Sequence, residues 1–132
     1  MTNGMHEVAV MSSILEAVRE ELKKHHVLKV EEVLLVVGEM TFLGADQLNF
    51  AFEVLTKGTE LDGSTLVIEK EEVGVTCPGC QYSGRAAYHE DEMYHSHIPT
   101  LNCPACGKRV EITKGKSCMV RSIKVVEDDV QA

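Results

Sequence analysis

Two Cys-Pro-x-Cys clusters constrain this chain more than anything else in it. Cys77-Pro78-Gly79-Cys80 and Cys103-Pro104-Ala105-Cys106 each form a knuckle that can turn two thiolates toward one point. Together they supply the four soft ligands of a tetrahedral metal site, for which zinc is the first choice. Iron in a rubredoxin-like site uses the same ligands and is a competitor that sequence cannot separate from zinc. A lone Cys-x-x-Cys would leave open a redox dithiol, but two matching knuckles flanking a short insert argue against it. Four thiolates close the coordination sphere, which leaves no metal-bound water for catalysis and makes the metal's task structural. Gly79 and Gly107 lend backbone freedom beside the ligands, and Lys108 and Arg109 offset part of the thiolate charge. The fifth cysteine, Cys118, reads as a small packed residue.

With 132 residues, the chain can bury one modest core beside such a stapled module, but not two large domains. From Glu7 to Lys24, Val8, Met11, Leu15, Val18 and Leu22 recur on one side of a helix. Val30 to Val37 is short, rich in β-branched residues and stopped by Gly38, as a buried strand would be. Asp46 can cap a second helix with Leu48, Ala51, Phe52 and Leu55 on one face and Gly58 at its end. Strands are expected over Thr65 to Val73 and Cys118 to Val126. The cysteine-rich segment 74-113 is therefore inserted into a body made of 1-73 plus 114-132.

A formal net charge of -8 counts against nucleic acid, whose phosphates need a basic surface, and no stripe of aromatic and basic residues offsets it. The longest apolar run, Val33 to Val37, is too short to span a bilayer, and Met1 to Gly4 has neither the basic nor the apolar part of a signal peptide. Cysteines used as metal ligands suit a reducing compartment, so the cytoplasm is expected. There is no credible Ser-His-Asp grouping, phosphate loop or catalytic carboxylate pair, and an enzyme is not expected. From the knuckles alone, the main rival reading is a zinc-ribbon module that binds nucleic acid or a protein complex.

The histidines are less eloquent. His25 and His26 suit the negative end of the first helix better than ligation. His89, His95 and His97 fall in the insert, and His6, near the amino end, would by itself be read as a solvated residue. Met5-His6-Glu7 gains meaning with Gly38-Glu39-Met40, the run Phe50 to Thr59, the two knuckles, and the closing Gly115-Lys116-Ser117-Cys118 to Val125. In order and spacing these landmarks resemble the HypA family of hydrogenase nickel chaperones almost end to end. The resemblance implies an α+β fold, with two helices packed on a three-stranded, mainly antiparallel sheet and a zinc-ribbon-like domain inserted before the last strand. It also implies structural Zn(II) on Cys77, Cys80, Cys103 and Cys106, and Ni(II) as transient cargo bound by His6. Met5, Glu7, His95 and His97 are the further candidate ligands. The implied partners are a nickel-handling GTPase, HypB, and the large subunit of nickel-iron hydrogenase. Imidazole suits Ni(II), which in square-planar geometry also accepts amine and ionised amide nitrogens. The family pattern opens at Met-His-Glu, whereas here Met1 to Gly4 precede it, so a start at Met1 would make the Met5 amine an internal amide. Oligomeric state, including any exchange of zinc domains between protomers, is left open.

Overall fold

The computed structural model describes the backbone of residues 5–91 and 96–127, with the side chains of that range except residues 5, 88–91 and 96–99. Two units emerge: residues 1–36, 43–69 and 119–132 form the body, and residues 37–42 and 70–118 form the cysteine unit.

In the body, α1 (Met5–Leu22) and α2 (Ala45–Thr56) pack on one another. The strands β1 (Val27–Gly38), β2 (Thr65–Glu71) and β8 (Cys118–Glu127) form one sheet in the order β2-β1-β8. The stripe of α1 buries Met11, Leu15, Val18 and Leu22, but its amino end differs from the sequence reading. Val8 is 37% exposed, while Glu7 is 1% exposed, because stepping back four residues from Met11 lands on Glu7. From α2 the core takes Leu48, Ala51 and Phe52, and from the rest of the body Val30, Val33, Leu35, Val36 and Leu61.

The cap of α2 is Gly44 rather than Asp46: Gly44 holds the extended backbone of a cap, and its carbonyl accepts the Leu48 N–H at 2.9 Å. Asp46 sits inside the first turn, where the helix dipole still favours its charge. Among the described residues, no helix is long and apolar enough to cross a membrane.

The cysteine unit contains a second sheet, ordered β4-β3-β7, from β3 (Gly74–Thr76), β4 (Ser83–Arg85) and β7 (Glu111–Lys114). Both pairings of β3 are antiparallel. The strands β5 (Tyr88–Asp91) and β6 (Ser96–Pro99) pair antiparallel in a separate two-stranded sheet, in the segment between the knuckles. The unit's core is small: Val73, Val75, Cys77, Ala86, Cys103 and Val110, with Met40, Tyr82 and Ile112 against it.

Residues 37–42 join this unit through backbone hydrogen bonds. The N–H of Gly38 reaches the Ser117 carbonyl and that of Met40 the Gly115 carbonyl, each at 2.8 Å. A Cβ on Gly38 would run into the Gly115 carbonyl, and Gly115 itself adopts φ +87, so both positions favour glycine. The Glu71 carboxylate accepts the Gly115 N–H at 2.9 Å and holds the crossing closed.

Candidate metal centre

Each knuckle is a tight turn whose first cysteine is its anchor. The Cys77 carbonyl accepts the Gln81 N–H at 2.8 Å, and the Cys103 carbonyl accepts the Gly107 N–H, also at 2.8 Å. The returning chain is tied by Cys77 N–H to the Tyr82 carbonyl at 2.8 Å and Cys103 N–H to the Lys108 carbonyl at 2.6 Å. The residue after each second cysteine is left-handed: Gln81 at φ 65 and Gly107 at φ 81. The backbone freedom needed in the first knuckle thus falls on Gln81. Gly79 instead leaves room for Lys108, whose Cδ would lie 3.0 Å from a Cβ there, so Lys108 runs along the first knuckle.

The two turns bring four sulfurs together. Cys77 and Cys106 Sγ lie 3.6 Å apart, as do Cys80 and Cys103 Sγ, and all four ligand atoms lie within 4.8 Å of one another. Four sulfurs at about 2.3 Å from a tetrahedral ion sit about 3.8 Å apart, so the cluster fits such an ion with little movement. All five cysteines are free thiols, and no other metal-holding cluster occurs among the described residues. Cys77 and Cys103 are buried and Cys80 and Cys106 exposed, so the two turns are related in burial as well as in hydrogen bonding.

Electrostatics prepare the buried thiols to ionise. The Cys80 N–H is the main force lowering the Cys77 thiol, assisted by the N–H of Gly79 and opposed by burial. At Cys103 burial opposes ionisation, but the N–H groups of Cys106 and Ala105 outweigh it and bring the thiol down to about 7. The Ala105 N–H lies 3.3 Å from the Cys103 sulfur. Cys80 is pushed up to about 12: the Tyr82 N–H favours its thiolate, but Cys103, burial, Cys106 and Cys77 together prevail. Protons thus leave this cluster one by one unless a cation takes their place. Cys118 stands apart, half-buried in β8, where burial raises its thiol.

The other candidate ligands fall in different places. His6 is exposed in the first turn of α1. Glu7 points inward, and its Oε2 accepts the Gly44 N–H at 2.9 Å while its Oε1 is buried without a partner. Met5 begins α1, and its side chain lies outside the described residues. His95 also lies outside them, and His97 is placed only by its backbone, opposite Glu90 in the β5-β6 pairing. The hydrogen bond from Gly44 to Glu7 had no motif to announce it, although the four-residue step from Met11 marks Glu7 as facing the core.

Comparison with known proteins identifies the family. The family model described as hydrogenase/urease nickel incorporation, metallochaperone, hypA matches residues 5–125. The hydrogenase maturation factor HypA of Methanothermobacter thermautotrophicus is 32% identical over 95% of this chain and 100% of its own length. That of Lawsonia intracellularis is 32% identical over 92% of this chain and 99% of its own. The solution structure of the nickel metallochaperone HypA from Helicobacter pylori superposes with a TM-score of 0.63, at 24% identity, over 92% of this chain and 98% of the other. A second solution structure, of HypA protein, gives 0.67 at 25% identity over 94% and 98%. A family match that runs from Met5 through both knuckles to the last strand establishes that this chain belongs to the HypA family of nickel metallochaperones for hydrogenase maturation, a family of metal carriers and not of enzymes.

Proposed function

We propose that the chain binds Ni(II) at the amino end of α1, centred on His6, and delivers it for insertion into the large subunit of nickel-iron hydrogenase, while Zn(II) on Cys77, Cys80, Cys103 and Cys106 maintains the cysteine unit. The carrying observation is the position of His6: an exposed imidazole in the first turn of a helix. The first N–H groups of any helix lack intrahelical acceptors, so amides next to this imidazole are free to ionise and join a square-planar ion. The positive end of the helix dipole opposes a bare cation there, and anionic amide donors relieve that opposition. Such a balance suits cargo that must be released. The closed thiolate cluster suits an ion that stays, and its donor set favours zinc.

Met5, through its amine or amide nitrogen, and His95 or His97 are the further donors we assign to nickel. Glu7 is less suited, since one of its oxygens is already engaged by Gly44 and the side chain is buried. HypB is the partner assigned to the handover, and the cytoplasm is its place. The test is hydrogenase maturation in cells carrying His6→Ala in place of the wild-type chain. Loss of nickel in the large subunit, with the variant still zinc-loaded, is expected, and normal nickel insertion would refute the assignment.

A further inference from the structure

The carboxyl of Glu7 occupies a place that would otherwise belong to the core. It continues the buried stripe of Met11, Leu15, Val18 and Leu22, and it is 1% exposed. A residue selected only to stabilise that position would be apolar, since a buried carboxylate with half its acceptors unmet is poorer than a hydrophobic group of the same size. Glu7 is half-satisfied in this sense: Oε2 takes the Gly44 N–H at 2.9 Å, and Oε1 has no partner. A residue that breaks the rule of its position points to function.

The bond it makes is specific. Gly44 is the cap of α2, and its own N–H is the donor. In a capping box that N–H would be satisfied from within the same helix, by the third residue of the first turn. Here a different helix supplies the acceptor. The carboxylate also sits at the positive end of α2, where negative charge is favoured. The result is a clasp between the first turn of α1 and the start of α2, at a helix end that would otherwise fray. The next residue toward the amino end is His6, exposed, among amides with no intrahelical acceptor.

We propose that Glu7 is a positioning residue for nickel: its clasp on Gly44 fixes the turn that carries His6 and the adjacent amide donors, so that they meet the ion in one arrangement. This rests on the nickel reading of His6. Groups that orient metal ligands without touching the metal typically change affinity by about 10–100-fold when removed.

Two substitutions in the full, zinc-loaded chain separate reach from charge. Glu7→Gln keeps an oxygen at the same distance from Gly44 and drops the charge. Glu7→Asp keeps the charge and withdraws it by one methylene, out of reach of Gly44. Nickel is titrated into each and into His6→Ala, with the absorption spectrum of the bound ion recorded and zinc content and far-UV circular dichroism as checks of folding. Glu7→Gln is expected to bind within about threefold of wild type with an unchanged spectrum, and Glu7→Asp to lose about tenfold or more. The opposite order would make Glu7 a ligand, and no effect in either would make the clasp irrelevant; both overturn the proposal. Should Glu7→Asp not fold, Glu7→Gln decides, since a weakened site or an altered spectrum overturns the proposal and an unchanged one sustains it. If His6→Ala alone leaves nickel binding intact, the N-terminal site itself fails, which the other variants would not show.

Discussion

The body and the cysteine unit are held together by different physics. The body fully buries long side chains, with Met11, Leu35, Leu48 and Leu61 each 0% exposed. Its strands run to 12 and 10 residues in β1 and β8, and its two helices pack on one another. The cysteine unit has strands of three or four residues and a core of two valines from β3 and its approach, one alanine, one further valine and two of its own metal ligands. So small an apolar core does not offset the conformational entropy of the segment, and coordination must make up the difference. The function proposed above puts the ion that stays in the cysteine unit and the ion that moves in the body.

The largest effect should come from Cys103→Ala. Cys103 is both ligand and core residue, 4% exposed, and structural zinc binding contributes about 10–16 kcal/mol of apparent free energy in small zinc-dependent domains. Metal analysis should find the zinc gone, and limited proteolysis should cut within residues 70–118 while the helical circular dichroism of the body persists. Retention of zinc, or collapse of both units together, would mean that the two units are not held by different forces.

Leu48→Ala should sharpen the contrast between the units from the other side. Removing a fully buried leucine of α2 costs about 2–5 kcal/mol, and denaturant titration should show this loss while zinc stays at its wild-type stoichiometry.

A smaller effect lies in proton linkage at the cysteines. Cys103 is held down at about 7, so above that pH it is already a thiolate and below it zinc must displace one more proton. A group with a depressed acid value contributes above its ordinary range and loses that contribution as pH falls through its folded value. Zinc affinity should therefore weaken toward acid, more steeply below about pH 7 than above it. Competition with a chelator at several pH values measures the slope; an unchanging slope would remove Cys103 as the first thiolate.

Local patterns made much of this legible in the sequence. The knuckles were legible because ligand spacing is local, and the helix faces because the periodicity of α1 and α2 is strong. Glu7 reads as a candidate ligand in the sequence, yet its inward turn depends on its phase relative to Met11, which a polar residue at the end of a stripe conceals. Gln81 is not legible, since a left-handed glutamine carries no sequence signal while Gly79 two residues before it does. The short strands β3, β4 and β7 offer too few residues to show alternation. The affiliation of residues 37–42 with the cysteine unit rests on backbone bonds to Gly115 and Ser117, which no side-chain pattern records.

If one chain holds two metals in two ways, titrating nickel into the zinc-loaded wild type and His6→Ala, with zinc quantified throughout, separates the two sites. Imidazole must be neutral to bind, so the titration belongs at neutral or mildly alkaline pH. His6→Ala should lose nickel affinity by about tenfold or more, as expected when a principal nitrogen donor is removed, and keep its full zinc and its fold. Unchanged nickel affinity in His6→Ala, or nickel that enters only by expelling zinc from the four cysteines, would contradict this two-site assignment.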